Sequence, residues 1–321
     1  MPPGLPFTGM SNPYQPTGRL GSLVVTGEGS RREAYGALDW SLLGSISLIW
    51  GASFLFIAIG LRSLAPGVIA SARVLLGLAG LALFPAARRR IAPADRSRVV
   101  AIGLVSQAAP ALLFALAEER IESAVAGMLV SATPILTALL MTVLTRRLPG
   151  RSQVLGLGVG FAGVIALTLP SLTGAGGSAL GIFYVGLAIT GYAFANVLYP
   201  PLQQSYGALP VIMWALVAAS IVLLPLGILG LSDSNWEWGP VLAVLTLGVL
   251  GTGIARAMHM TLIGRVGPSR GAIAGYSIPV IALILGVVFL DETVKAVQIG
   301  GVVLALAGSY IVSRKQSERG Q

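Results

Sequence analysis

The chain has 321 residues, of which 55% are hydrophobic and 10% are charged, with a formal net charge of +9. Soluble domains carry about 25% charged residues, so this composition indicates a membrane protein, and its positive charge is assigned to cytoplasmic loops, not to nucleic-acid binding. With no cysteine and one histidine, disulfides, cysteine nucleophiles and multi-histidine metal centres are excluded, and no metal or other cofactor is expected.

The two ends of the chain are predicted to be cytoplasmic tails. Residues 1–36 are rich in Pro, Gly, Ser and Thr and have no apolar period, which is typical of a disordered segment. A signal peptide is not expected there, because no apolar core precedes a small-residue cleavage site. Residues 314–321 form the second predicted tail.

Between these tails lie about ten apolar segments of roughly 20 residues, each long enough to cross a bilayer. A bilayer offers the backbone no hydrogen-bond partners, and the segments are continuous, so helices are predicted and a barrel is not. The predicted spans are 38–61, 67–86, 98–117, 122–145, 152–170, 179–200, 209–230, 240–263, 268–290 and 295–313. The sixth is predicted to end at Pro200-Pro201.

The loops predict the orientation of these segments, because cytoplasmic loops carry an excess of Lys and Arg. Alternate loops are basic, and all of them fall on one side if both termini are cytoplasmic. The prediction is therefore a multi-pass protein of the inner membrane with both termini in the cytoplasm. The cations that decide it are Arg88, Arg89, Arg90, Arg96, Arg98, Arg146, Arg147, Arg151, Arg265, Arg314, Lys315 and Arg319.

The second half of the chain repeats the first in weakened form. Pro134 in Ser-Ala-Thr-Pro-Ile and Pro279 in Tyr-Ser-Ile-Pro-Val lie 145 positions apart, and the same offset places Gly156 on Gly301. Each half holds five segments, an odd number, so the second half enters the membrane the opposite way. The predicted fold is an all-α polytopic membrane protein with ten transmembrane helices, arranged as two inverted-topology five-helix repeats, 37–170 and 178–313.

Several motifs resemble those of a known family. Trp50-Gly-Ala-Ser-Phe54, followed by Pro66 and Arg73, resembles the opening of an EamA-type domain. On these residues the chain is identified as a member of the EamA family of the drug/metabolite transporter superfamily, with two EamA units over about residues 38 to 313. It departs from the family at Arg146-Arg147, where first repeats often carry Gly-Glu. The second half shares Ser269, Gly271, Pro279, Leu290-Asp-Glu292, Gln298-Ile-Gly300 and Gly308.

The resemblance implies a secondary transporter rather than an enzyme. It implies movement of small metabolites, such as amino acids or related compounds, often outward, through a cavity lined mainly by helices one, three, four, six, eight and nine. Access would alternate around a midplane site between the repeats. A lipid or lipid-linked precursor flippase and a multidrug efflux carrier remain alternatives. Small-residue faces in segments five and ten favour helix packing within the bundle or a homodimer contact.

Segment eight carries the sharpest candidate site. Thr252, Arg256 and His259 are spaced to share one helix face. A cation inside a membrane helix usually faces a cavity or a partner, so Arg256 is a candidate contact for an anionic substrate group. The alternative is that Arg256 snorkels to the cytoplasmic interface.

Other polar and aromatic residues are candidate cavity residues. Segment six carries a polar stripe on an apolar helix, and Trp50 and Ser53 share a face of segment one. Gln107 is the repeat partner of Thr252. Substrate contacts are therefore predicted at Trp50, Ser53, Gln107, Tyr192, Asn196, Tyr199, Thr252, Arg256, His259 and Tyr276.

Three prolines are predicted to bend their helices, because proline removes a backbone hydrogen bond. They are Pro110, Pro134 and Pro279, and the last two are repeat partners. Arg73, in segment two, is predicted to have a structural role. No Asp or Glu lies deep in any predicted span, and Glu118 falls at an outer end, so weak or absent proton coupling by an embedded acid is predicted.

Overall fold

The computed structural model describes residues 34–146, 149–172, 178–290 and 296–313, and these are helices joined by short connections without a β-strand. The predicted tail segments 1–33 and 314–321, and the residues Arg147, Asp291 and Glu292 of the motifs above, lie outside the described residues. The helices are α1 (Ala37–Gly60), α2 (Pro66–Ala82), α3 (Pro93–Gly103), α4 (Ala109–Glu118), α5 (Ser123–Leu129), α6 (Thr133–Thr145), α7 (Arg151–Leu172), α8 (Ala179–Tyr206), α9 (Ala208–Leu229), α10 (Trp238–Thr246), α11 (Ala255–Val266), α12 (Pro268–Gly271), α13 (Ala274–Leu290) and α14 (Ala296–Ser313).

Six helical segments of the described chain are long and apolar enough to cross a membrane. Three are single helices, α1, α8 and α9. The other three are pairs that continue into each other: Pro93–Glu118, Ser123–Thr145 and Trp238–Val266. Shorter apolar helices occupy Pro66–Ala82, Arg151–Ala166, Ala274–Leu285 and Ile299–Val312. The chain is a multi-pass membrane protein.

In two of these three helix pairs, a π-helical stretch joins the two helices. The first π stretch, Leu104–Ala108, joins α3 to α4, and the second, Leu247–Ile254, joins α10 to α11. The 145-residue offset places the first stretch within the second. The π-helix is rare and often marks a functional site, because its i→i+5 bonding disturbs the regular backbone ladder.

Glycines let neighbouring backbones approach at these π stretches. Helix α2 packs on the second stretch, where a Cβ on Gly77 would lie 3.0 Å from both the Gly248 oxygen and the Gly253 nitrogen. Helix α9 packs on the first stretch, beside which a Cβ on Gly103 would overlap the backbone of Ala215. Small residues that let backbones approach closely are typical of helix interfaces in a bilayer.

Helices α7 and α14 form another close pair. A Cβ added at Gly163 would overlap the backbone of Ala305, and one at Gly308 would overlap the backbone of Gly160. The glycines predicted as packing faces therefore meet each other within this chain.

The three predicted bend prolines lie at or inside helix boundaries. Pro110 is the second residue of α4, directly after the first π stretch. Pro134 is the second residue of α6, after the 3-10 turn Val130–Ala132, and Thr133 Oγ1 donates a 2.5 Å hydrogen bond to the Val130 carbonyl. Pro279 lies inside α13.

One predicted boundary is wrong. Helix α8 does not end at Pro200-Pro201 but runs through both prolines to Tyr206. The helix resumes its bonding beyond them, and Ser205 Oγ donates to the Pro201 carbonyl at 3.0 Å. Gly207 follows the last helical residue and caps the helix, and its φ of 83° is accessible to glycine at little cost.

Candidate functional site

A cavity of about 600 Å³, including its opening, lies between the two halves of the bundle. The resemblance implied walls from segments one, three, four, six, eight and nine, and the structure adds segment two. The lining residues are Trp50, Ser53, Phe54, Ile57, Arg73, Phe114, Val130, Thr133, Tyr192, Asn196, Arg256, His259, Ala272, Gly275 and Ile278.

Arg256 is the most constrained charge in this wall. Its guanidinium carbon lies 4.6 Å from the ring centroid of Trp50 and 4.6 Å from that of Tyr192, so the side chain is held between two aromatic faces. Arg256 is 5% exposed, and within the described residues its buried Nε has no hydrogen-bond partner. Aromatic faces stabilise the cation but accept no strong hydrogen bond, so the guanidinium remains able to donate to an anion.

Trp50 is itself held in place by the second π stretch. Its Nε1 donates a 2.9 Å hydrogen bond to the carbonyl of Gly251. Its ring also meets His259 edge-on, at a centroid distance of 4.8 Å. Within the described residues the buried Nδ1 of His259 has no hydrogen-bond partner. The π backbone thus positions the indole, and the indole positions Arg256 and His259.

Arg73 supplies a second cation to the cavity wall. Its Nε donates to Thr252 Oγ1 at 3.1 Å, and Thr252 Oγ1 lies 3.3 Å from the Leu247 carbonyl that it bonds. Thr252 does not line the cavity itself, and it contributes to the site through its hydrogen bond with Arg73. Within the described part of the chain, the lining therefore contains two arginines, one histidine and no carboxylate.

Aromatic rings form much of the remaining wall. Phe54 meets Phe114 edge-on at 5.5 Å, and Phe114 lies 5.9 Å from Tyr192. Sequence reasoning missed both phenylalanines and Thr133, and for Arg73 it favoured a structural role over a substrate contact. Phe54 follows Trp50 by four residues, so helical spacing was a signal that could have found it.

Asn196 also reaches the cavity, and its Nδ2 donates to Thr137 Oγ1 at 3.3 Å. The predicted contact residues thus divide into two groups. Those that line the cavity are Trp50, Ser53, Tyr192, Asn196, Arg256 and His259; those that do not are Gln107, Tyr199, Thr252 and Tyr276.

Three of the residues outside the cavity have internal partners instead. The Tyr199 hydroxyl and Ser106 Oγ are 2.8 Å apart, and Gln107 Nε2 donates to the same Ser106 oxygen at 3.1 Å. Tyr276 is fully buried, and its hydroxyl donates to the Leu157 carbonyl at 2.9 Å. Burying these polar groups without a hydrogen-bond partner would be costly. Their hydrogen bonds inside the bundle therefore explain their positions outside the cavity.

Glu118 is the acidic group with an electrostatic link to this wall. It ends α4, both of its carboxylate oxygens are buried, and neither has a hydrogen-bond partner in the part of the chain that the structure describes. Arg73 is the charged group that acts on it. Glu118 does not line the cavity.

A polar cluster ties the start of α1 to the end of α11. Arg265 Nε lies 2.6 Å from Oδ1 of the fully buried Asp39. Tyr35, which falls within the predicted tail, is also buried; its hydroxyl donates to the Arg270 carbonyl at 2.7 Å, and the Arg270 guanidinium lies 5.0 Å from its ring. Burial raises the pKa of this hydroxyl above its usual range. The cluster joins the two halves of the chain at this end of the bundle.

Replacing Asp39 with Asn is expected to lower the free energy of unfolding by about 2 kcal/mol, because a largely buried charge loses its partner. Urea or thermal unfolding of the purified protein measures the change. In a double-mutant cycle with Arg265→Gln, the combined loss should be smaller than the sum of the two single losses. Additive losses would show that the ion pair contributes nothing.

Comparisons with known proteins agree with this architecture. The EamA-like transporter family matches residues 40–169 and again residues 179–314. An uncharacterized transporter of Archaeoglobus fulgidus is 27% identical over 281 residues, covering 86% of this chain and 99% of that protein. A probable amino-acid metabolite efflux pump of Salmonella typhimurium is 28% identical, covering 83% of this chain and 91% of that protein.

Two further matches extend the comparison. A probable terminal-alkyne amino-acid exporter of Streptantibioticus cattleyicolor is 23% identical, covering 86% of this chain and 93% of that protein. A solved crystal structure matches the fold with a TM-score of 0.68 at 18% sequence identity, over 85% of this chain and 95% of that one. The predicted resemblance is confirmed by the family match over both halves.

Proposed function

Because this chain belongs to the EamA-like transporter family, it is a transporter of small molecules and not an enzyme, and we propose that it exports amino acids or related metabolites that carry a carboxylate. The single observation that carries the proposal is Arg256, stacked between two rings in the cavity wall with its Nε unpartnered among the described residues. Relatives named as amino-acid exporters support the substrate class.

A carboxylate suits this site on electrostatic grounds. The wall offers Arg256 and Arg73, and among the described residues no acid lines it, although Glu118 acts on Arg73 from outside the cavity. A buried cation that lacks an anion is costly in a membrane, and an Arg–carboxylate pair forms short, charge-assisted hydrogen bonds. The aromatic surfaces of Phe54, Phe114 and Tyr192 would contact the apolar part of the substrate. Trp50, Ser53, Asn196 and His259 complete the proposed contacts.

The proposed topology has ten spans in two inverted repeats, with both termini in the cytoplasm of an inner-membrane protein. Support comes from the six long and four shorter apolar helices, and from the π stretches that correspond at the 145-residue offset. The reciprocal packing of α2 on the second stretch and α9 on the first is what inverted repeats would produce. Rocking of the two halves, with bends at Pro110, Pro134 and Pro279, would expose the cavity alternately.

Transport is proposed to proceed by facilitated diffusion or exchange. Among the residues that the structure describes, no acid lines the cavity to bind and release a proton beside the substrate, and proton-coupled carriers usually use such a group.

The test is counterflow in proteoliposomes with no imposed ion gradient. Vesicles are preloaded in turn with amino acids, organic acids, nucleosides or cationic dyes, and uptake of the labelled compound is followed against protein-free liposomes. Accelerated exchange is expected for amino acids or organic acids and not for nucleosides or cationic dyes. Exchange of cationic dyes alone would contradict the carboxylate proposal and favour a multidrug carrier.

A lipid readout in the same vesicles distinguishes the other alternative. If no water-soluble class exchanges, and labelled lipid moves between leaflets faster than in protein-free liposomes, the flippase function replaces the proposed one. Folded protein must be verified by a cooperative melting transition in both cases.

A further inference from the structure

A second cavity lies on the outside of the bundle, between the residues that lead into α3 and one face of α9. Its volume is about 920 Å³, including its opening, and it shares no lining residue with the central cavity. Arg90 and Arg96 lie in its wall, together with Val100, Trp214, Val217 and Ile221. We call it the arginine groove.

The groove has a polar end and an apolar end. Arg90 precedes α3 and Arg96 belongs to its first turn, whereas Val100 lies one turn further along. On α9 the order is the same: Trp214 lies beside the arginine end, because its Nε1 donates to the Arg89 carbonyl at 3.0 Å. Val217 and Ile221 follow at spacings that keep them on the same helix face.

The apolar end is exposed and, in a bilayer, would face the hydrocarbon. Helix α9 is long and apolar enough to span a membrane, and Ile221 is 70% exposed and Val100 44% exposed on its sides of the groove. A tryptophan near the charged end is typical of the membrane–water interface, where its ring is apolar and its N–H is polar. The groove therefore crosses from headgroup depth to acyl-chain depth.

The arginines at the polar end are available for an anion. The nearby acid Asp95 is engaged elsewhere: its Oδ1 lies 3.4 Å from Arg98, and its Oδ2 accepts a 2.7 Å hydrogen bond from Tyr206. Arg96 Nε makes a long 3.4 Å contact with the Ile91 carbonyl, and both Arg90 and Arg96 are exposed. Guanidinium groups bind phosphate oxygens with two parallel hydrogen bonds.

We propose that the arginine groove binds one anionic phospholipid, with its phosphate on Arg90 and Arg96 and an acyl chain along Val100, Val217 and Ile221. Charge complementarity and the position of the groove at the end of two spanning segments select this occupant. Basic pockets between membrane helices bind anionic headgroups in this way. In the proposed orientation the groove lies in the cytoplasmic leaflet, and the bound lipid would hold the start of α3 against α9.

Native mass spectrometry of the full chain in detergent tests the site. Phosphatidylglycerol, phosphatidylcholine and inorganic phosphate are titrated separately. We expect one saturable phosphatidylglycerol adduct, weakened about tenfold in the Arg90→Gln/Arg96→Gln protein. The matched control, Arg62→Gln/Arg151→Gln, removes the same number of exposed charges outside the groove and should leave the adduct unchanged. Equal weakening in both proteins would overturn the site.

A second variant tests the acyl-chain part. Val217→Phe/Ile221→Phe fills the groove and leaves both arginines in place, and it should remove the adduct while the lipid-free melting temperature stays that of the native protein. Retention of the adduct in this filled protein, or equal binding of phosphatidylcholine, would overturn the proposal by indicating ordinary annular lipid. An equal shift of the melting temperature by inorganic phosphate alone would also overturn it, because the ligand would then be a free anion.

Discussion

Replacing Arg256 with Gln is expected to reduce exchange of carboxylate-bearing substrates by about 100-fold, because a desolvated charge-assisted contact contributes about 3 kcal/mol. The exchange rate of neutral analogues that lack the carboxylate should fall much less. Initial rates of counterflow in proteoliposomes, over a range of substrate concentrations, measure both classes. Trp50 and Tyr192 carry no charge, so replacing Arg256 leaves no charged partner behind in these contacts. The fold should therefore survive the substitution.

Two control variants sharpen this prediction. Arg62→Gln removes an exposed cation outside the cavity and should leave both substrate classes unchanged. Arg256→Lys keeps the charge but loses the planar group that stacks between two rings, so intermediate exchange of carboxylates is expected. An equal loss for neutral and anionic substrates in Arg256→Gln would mean that Arg256 organises the cavity and does not recognise charge.

Replacing Gly163 with Leu is expected to destabilise the protein by about 3 kcal/mol or more, because the new side chain overlaps backbone in the α7–α14 contact. A Cβ at Gly163 already meets the backbone of Ala305 and Gly301, and backbone cannot move aside as a flexible side chain does. Thermal unfolding in detergent, followed by circular dichroism, measures the loss.

The same helix supplies the matched control. A Cβ at Gly158 would meet nothing within 4 Å, so Gly158→Leu should leave stability unchanged or raise it by up to about 1 kcal/mol through better helix propensity. If both substitutions have the same effect, the close α7–α14 packing does not stabilise the bundle, and propensity or detergent interactions dominate.

The class of protein could be predicted from the sequence, because composition and segment length depend on local chemistry. A run of apolar residues must be helical in a bilayer whatever surrounds it, and the offset between Pro134 and Pro279 needs no coordinates. The family motifs around Trp50 are equally local, and the family match confirms them.

Which residues reach the cavity was only partly predictable, and segment eight shows why. Thr252 and Arg256 share a face on an ideal α-helix, but Thr252 lies in the second π stretch, whose wider turn shifts the angular offset. Thr252 therefore bonds Arg73, while Arg256 reaches the cavity. Gln107, in the first π stretch, likewise bonds Ser106. The end of α8 depended on Gly207 and not on the prolines before it.

The sequence by itself determined a membrane-embedded helical transporter of two related halves, because hydrophobicity, segment length and repetition are properties of the chain alone. Only the tertiary structure decided that Arg256 lies between Trp50 and Tyr192, that Arg73 joins the cavity wall, and that the glycines of α7 and α14 meet. The physical reason is that these contacts join residues far apart in sequence. They depend on the rotation and crossing of whole helices, which π turns and backbone packing set.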